Sequence, residues 1–382
     1  MPLSNPQVMN DINKYRGCLI GGAAGDALGY AVEFLQAEQI FQRYGRRGIT
    51  EYRLVDGVAH ISDDTQMSLF TANGLLLATA QDDQGWKADS YVDFIALSYR
   101  DWLETQIGTY SFGSDAYSTW LINVPQLRQC RAPGMTCLSA LRGDRLGTLE
   151  DKYPINQSKG CGGIMRVAPI GLYLHERFPS DEIDMIGAKV AALTHAHELG
   201  YIPAAMLVHI IDMISHDDTI GLLSSIIDSL AAVKRLFPHA QHMDELAKLV
   251  EKAIDFANKD MNDVDAIHQL GGGWVAEETL AIAIYCSLKY QNDFYQAIIA
   301  SVNHSGDSDS TGSVTGNILG AYLGLEAIPA KYIDHLEIKD IILEIADDLY
   351  HGCKISEYLD EVDQKWLQKY VSCDYDLFPN DQ

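Results

Sequence analysis

Two short segments of this chain carry more oxygen ligands than local structure requires. Ser62, Asp63 and Asp64 stand immediately before one apolar run, and Asp307, Asp309 and Ser310 open another about 240 residues later. A serine or aspartate at a helix start has an ordinary role, because its oxygen caps free backbone N–H groups and its charge suits the helix dipole. That role explains either segment alone, but a cap needs one oxygen and each segment offers two carboxylates and a hydroxyl. Hard divalent cations take such all-oxygen sets. If folding brings the segments together, four carboxylates would surround two Mg²⁺ or Mn²⁺ ions. Without metal the same carboxylates would repel one another, and some would take up protons.

The helices that must position these groups are marked by glycine. After the second acidic segment glycines fall at Gly312, Gly316, Gly320 and Gly324, and near the N-terminus at Gly17, Gly21, Gly25 and Gly29. Residues four apart share a helix face, so each stripe strips one face of side chains and admits another backbone. Glycine inside a helix costs about 0.8–1 kcal/mol against alanine. Close packing of two helices is the compensation expected. One stripe begins directly after Asp307 and Asp309, and the other contains Asp26 and is followed by Glu33.

Apolar residues elsewhere recur at three-to-four spacing, as in "AKVAALTHAHELGYIPAAMLVHIIDMI" and "MDELAKLVEKAIDFANKDM", while alternating strand-like runs are nearly absent. This predicts an all-α protein of roughly a dozen helices, with residues such as Ser180-Asp181 capping them. The 382 residues, 47% of them hydrophobic, suffice for a large core. With no convincing linker, a compact single domain is expected over 14–371, with tails at 1–13 and 372–382. Residues 105–163, rich in Gly, Pro, Ser and Tyr, read as a long loop region bordering the site.

A net charge of −25, from 28 basic and 53 acidic residues, disfavours a nucleic-acid partner, which wants a basic face. No stretch reaches about 18 uninterrupted apolar residues, so no membrane partner is expected. The 7 cysteines are odd in number and contain no CxxC, which suggests reduced thiols and a cytoplasmic location.

At this point "GCLIGGAAGDALGYAVEF", "ISDDTQM", "GCGGIMRVAPIGLY", "LTHAHELGYIPAAM", "GGGWVAEETLAIAIYC" and "SGDSDSTGSVTGNILGAYLG" resemble, in order, the motifs of the ADP-ribosylglycohydrolase family. The resemblance runs from about residue 15 to residue 325, and SDDT together with GDSDS is far more specific than either alone. It implies a dinuclear magnesium site with Ser62, Asp63, Asp64, Asp307, Asp309 and Ser310 as ligands. Both hydroxyl ligands are serine, a pattern leaning toward the arginine-specific members of the family. Substrate is expected along Ser158, Lys159, Gly160 and Gly162, where backbone N–H groups could cradle a diphosphate. Cys161 departs from the asparagine usual in that loop. His195, Gly272 and Trp274 match positions beside the ADP-ribose. Asp64 would steer the attacking water, and Glu33 is a candidate general acid or base, with a helix-flanking carboxylate as its alternative reading.

The implied function is Mg²⁺-dependent removal of ADP-ribose from arginine on modified proteins. Three other classes compete. Helical isoprenoid synthases also hold Mg²⁺ with aspartates, but along a helix face rather than at a helix start. An immunity protein could neutralise an ADP-ribosyltransferase toxin by hydrolysis or by direct binding. A catalytically idle structural relative would not need six intact ligands.

Overall fold

Runs with apolar residues at three-to-four spacing fold as helices throughout the computed structural model, which describes residues 11–81, 87–109, 117–151, 154–352, 364–373 and 375. Seventeen α-helices occur among them, and no sheet. In chain order they are α1 (Ile12–Tyr30), α2 (Ala37–Tyr44), α3 (Asp63–Gln81), α4 (Ala88–Ile107), α5 (Met135–Leu141) and α6 (Ala168–Tyr173). There follow α7 (Ser180–Ala192), α8 (Glu198–His216), α9 (Leu222–Leu236), α10 (Met243–Ala257), α11 (Asp263–Leu270) and α12 (Ala276–Lys289). The last are α13 (Phe294–Val302), α14 (Ser308–Leu323), α15 (Lys331–Asp334), α16 (Lys339–His351) and α17 (Gln364–Tyr370). The excess over a dozen comes from elements of four to eight residues, such as α5, α6, α15 and α17, which are too short to show a helical period.

The two glycine stripes pack on each other. Gly17 faces Gly320, Gly21 faces Gly316, Gly25 faces Gly312 and Gly29 faces the Ser308 carbonyl, so α1 and α14 run antiparallel with backbones in contact. A Cβ at any of these glycines would fall within 3.0 Å of an opposing backbone atom. Asn317 fills the space over Gly22 and donates from Nδ2 to the Cys18 carbonyl at 2.9 Å. Both helices are buried nearly all round, which accounts for the lack of a polar face in their sequences.

Other helices wrap this pair. Arg16 of α1 makes a two-pronged pair with Asp347 of α16, at 2.6 and 2.7 Å. Helix α8 is long and apolar enough to cross a bilayer by composition, but 89% of that window is buried against its neighbours. Helix α7 begins at Ser180 itself, with Pro179 at the N-cap and no side-chain cap; the expectation of Ser180 as a cap is off by one residue. Helix α1 is capped by Asp11, whose Oδ1 accepts from Asn13 N at 2.9 Å, inside the stretch read as a tail; residues 1–10 lie outside the described residues.

Residues 105–163 are more structured than their composition suggests. They hold two 3₁₀ turns, Trp120–Asn123 and Pro125–Arg128, together with α5, and a third turn begins at Cys161. Residues 110–116 and 152–153 of this segment lie outside the described residues.

Candidate active site

The Ser62-Asp63-Asp64 segment is fastened to α1 by Asp26. Both Asp26 carboxylate oxygens accept from Ser62 N at 3.0 Å, and Oδ2 also accepts from Thr65 N at 3.1 Å and from Thr65 Oγ1. Asp26 is fully buried. The turn is braced from the other side by Glu337, which accepts from Ile61 N at 3.2 Å and pairs with Arg131 at 3.0 Å. Asp63 N donates to the Arg131 carbonyl at 3.1 Å, and Asp63 Oδ2 accepts from Gly134 N at 3.1 Å. The segment 131–134 therefore borders the carboxylates directly.

Asp307 caps α14, its Oδ1 accepting from Ser310 N at 3.1 Å. Its own N–H donates to the Gly272 carbonyl at 2.8 Å, which ties the acidic segment to the glycine turn before α12. Contacts then join the two acidic segments. Asp64 lies beside Ser310 and feels the charge of Asp307, Glu33 lies beside Asp309, and Cys161 Sγ donates to Asp307 Oδ2 at 2.7 Å. Ser62, Asp63, Asp64, Asp307, Asp309 and Ser310 are all buried and lie together with Glu33.

Burial and mutual repulsion govern these groups. Asp63 is pushed up to about 8 by burial and by the charges of Asp26 and Asp307, against the pull of the Gly134 N–H. Glu33 is also pushed up to about 8, by burial and then by Asp307, Asp63 and Asp26. Asp64 and Asp309 stand well above the usual carboxylate range for the same reasons. Asp26 rises to about 6 through burial, although four hydrogen bonds oppose the shift. Two oxygens of the cluster, Asp64 Oδ1 and Glu33 Oε2, are buried with no hydrogen-bond partner. Buried acceptors without donors are costly. An all-oxygen donor set with excess negative charge and unpartnered oxygens fits a divalent cation.

A family model described as ADP-ribosylglycohydrolase matches residues 8–357. The chain belongs to the ADP-ribosylglycohydrolase family. Among its relatives, mouse (Mus musculus) ADP-ribosylhydrolase ARH3 is 23% identical, over 84% of this chain and 86% of that protein. ADP-ribosylarginine hydrolase Tri1 of Serratia proteamaculans (strain 568) is 23% identical, over 89% of this chain and 80% of that protein. A solved structure of an ADP-ribosylglycohydrolase-related protein complex shares the fold, with a TM-score of 0.56 and 22% identity over 89% of this chain and 98% of the other. The protein is thus a glycohydrolase of the ADP-ribose class.

Around the carboxylates of this ADP-ribosylglycohydrolase, the expected substrate positions occupy distinct places. Gly160 N donates to Ser158 Oγ at 3.3 Å and Cys161 N to the Trp274 carbonyl at 3.2 Å, so two amides of the glycine loop are already engaged. His195 lies beneath that loop, its Nε2 close to Gly160 and Gly162 and its Nδ1 2.8 Å from Thr194 Oγ1. Burial and the nearby Arg166 push its pKa down to about 3, so the ring is neutral. Lys159 Nζ is committed to Glu277, with Glu245 at 3.9 Å, rather than to the carboxylate cluster. The Gly272 and Gly273 amides both donate to Glu278 Oε2, at 2.9 and 3.2 Å. Trp274 is 46% exposed and not a core aromatic.

Sequence reasoning noted Asp26 in the glycine stripe and Cys161 in the expected substrate loop without giving either a role, and passed over Gly134. Asp26 had a signal, since an aspartate on a glycine-striped face has no solvent to meet. Gly134 had none, because its role depends on where a loop returns, and nothing in the sequence pointed to the contact of Cys161 with Asp307. A separate group, His175, Asp212 and His216, also gathers possible metal ligands, at the opposite end of α8 from His195. Its atoms are largely satisfied within the protein: His175 Nδ1 lies 2.8 Å from Asp212 Oδ1, and His216 bonds the Asp212 carbonyl and Tyr15 OH at 2.8 and 2.9 Å.

Proposed function

We propose that this protein is a magnesium- or manganese-dependent hydrolase that releases ADP-ribose from arginine side chains of modified proteins. The observation that carries this reading is the meeting of Ser62-Asp63-Asp64 with Asp307-Asp309-Ser310, with Asp64 Oδ1 and Glu33 Oε2 left without partners. Bound divalent ions would supply Lewis acidity, holding the hydroxyls of the distal ribose and lowering the pKa of a water.

The chain's own residues would do the rest. Asp26 fixes the Ser62–Thr65 turn, so the Asp63 and Asp64 carboxylates are held before substrate arrives. Asp64, with one free oxygen, orients the water toward the anomeric carbon. In the balanced reaction the new C–O bond forms there, the C–N bond to the guanidine breaks, and the water's second proton ends on the leaving nitrogen. Glu33, next to Asp309 and with Oε2 free, is placed to pass that proton. Arginine as acceptor is supported by the serine at both hydroxyl positions and by relatives named ADP-ribosylarginine hydrolase.

The test is release of ADP-ribose from arginine-, serine- and DNA-linked substrates, each with Mg²⁺ and with EDTA. Metal-dependent release from the arginine linkage is expected. Release from serine or DNA alone would move the acceptor assignment, and undiminished release in EDTA would remove the metal.

A further inference from the structure

Folding normally covers large apolar side chains, yet three that remain exposed stand on the segments that border the carboxylates. Phe34 and Met135 are each 71% exposed and Trp274 is 46% exposed. Phe34 follows Glu33, which lies beside Asp309 and feels the charges of Asp307 and Asp63. Met135 follows Gly134, whose N–H donates to Asp63. The Trp274 carbonyl accepts from Cys161, the residue whose thiol donates to Asp307. Segments far apart in sequence thus place apolar groups beside residues of the buried anionic cluster or beside their direct hydrogen-bond partners. Phe34 and Trp274 also lie nearly parallel, 20° between planes with centroids 6.2 Å apart.

Resting on the arginine reading above, we propose that Phe34 and Trp274 bind the guanidinium of the acceptor arginine and so select arginine over serine. The carboxylates hold the ribose whose anomeric carbon carries the acceptor, so the group nearest that ribose on the open side is the leaving group. Adenine is separated from it by a diphosphate and a second ribose. A ribosylated guanidinium is planar and cationic, and such a cation is attracted to an aromatic face, tryptophan best of all. The neighbouring carboxylates add a negative field. Met135 offers a polarisable surface to the aliphatic stem of the arginine. A serine acceptor brings neither a plane nor a charge to this pair.

Both rings are exposed, so Phe34→Ala and Trp274→Ala should fold as the wild type does. The measurements are steady-state kinetics on one peptide carrying ADP-ribose through arginine or through serine, and calorimetric titration of ADP-ribose itself. The expected result is a loss of roughly tenfold in kcat/KM for the arginine linkage, carried by KM, with Trp274→Phe recovering most of it. ADP-ribose affinity should fall by much less than kcat/KM for the arginine linkage. A parallel loss of ADP-ribose affinity would show that the rings hold the nucleotide, and unchanged kinetics in both variants would show that they hold nothing; either overturns the proposal. A wild type that prefers the serine linkage overturns the arginine reading before any variant is made. If the wild type cleaves neither peptide, the function fails while titration of the two peptides still reads the pair: tighter binding of the arginine linkage, erased by Trp274→Ala, upholds it, and equal binding rejects it.

Discussion

Gly25 of α1 and Gly312 of α14 meet backbone to backbone, and a Cβ built on either would fall within 3.0 Å of the other's carbonyl oxygen. Asp26 follows the first glycine in sequence, and Asp309 lies three residues before the second. Contact at this level of the helix pair thus sets where Asp26 and Asp309 stand, one fastening the Ser62 turn and the other joined to Glu33. The glycine stripes and the paired carboxylates are one construction: the stripes bring two backbones together so that acidic groups from α1, α3 and α14 share a small volume.

Filling that contact should therefore destabilise the protein. Gly316→Leu would press on the Gly21 carbonyl, where no side chain can yield. Overpacking of this kind costs about 1–3 kcal/mol and sometimes more. Urea denaturation should show a lower midpoint for Gly316→Leu, and a smaller loss for Gly316→Ala.

Asp26 is a positioning residue, and its removal should disturb the site without touching a ligand. Asp26→Ala leaves the buried Ser62 and Thr65 amides without their acceptor. Each unsatisfied buried group costs about 1–3 kcal/mol. Thermal melting should fall, and Mn²⁺ affinity should fall with it; unchanged metal affinity would mean that the turn holds its shape unaided.

The helical class, the glycine pairing and the two acidic segments were legible in sequence because each leaves a periodic or clustered trace. Helices of a few residues, such as Lys331–Asp334, leave no period to detect. The segment 105–163 read as loop because it is rich in Gly, Pro, Ser and Tyr, but burial of Trp120, Leu121 and Leu127 orders its turns in the tertiary structure. Trp274 is expected beside the ligand from the resemblance alone, and its exposure beside Phe34 shows only in the structure. Lys159 is expected among the substrate-binding residues, and its ion pair with Glu277, distant in sequence, shows only in the structure.

The raised carboxylates fix the sign of a pH effect. In the metal-free protein Asp63 and Glu33 bind protons up to about pH 8, whereas ordinary Asp and Glu release theirs near 3.8 and 4.5. Their contribution to stability is present below the unfolded values and is lost as pH rises through the folded ones. Melting temperature in EDTA should therefore decline between about pH 4 and pH 8 through these groups. Added Mg²⁺ should raise it most at the upper end, where the carboxylates are charged, because a ligand of the native state stabilises it by mass action.

The neutral and charged ligands should differ in weight. A hydroxyl offsets none of a cation's charge, so Ser310→Ala should weaken Mn²⁺ binding less than Asp309→Ala in calorimetric titration. Silence of both substitutions would reduce the Asp307–Ser310 segment to a helix cap.

The central claim is that the joined carboxylates carry metal-dependent hydrolysis. It is tested most directly by release of ADP-ribose from an arginine-modified protein, using wild type and Asp309→Ala, each stripped with EDTA and reloaded with Mg²⁺. Removal of metal-centred stabilisation is worth several kcal/mol, at tenfold in rate for each 1.36 kcal/mol. The wild type should lose activity on stripping and regain it on reloading, while Asp309→Ala stays at least about 100-fold slower throughout. Activity in Asp309→Ala equal to wild type, or in wild type indifferent to EDTA, would contradict the account.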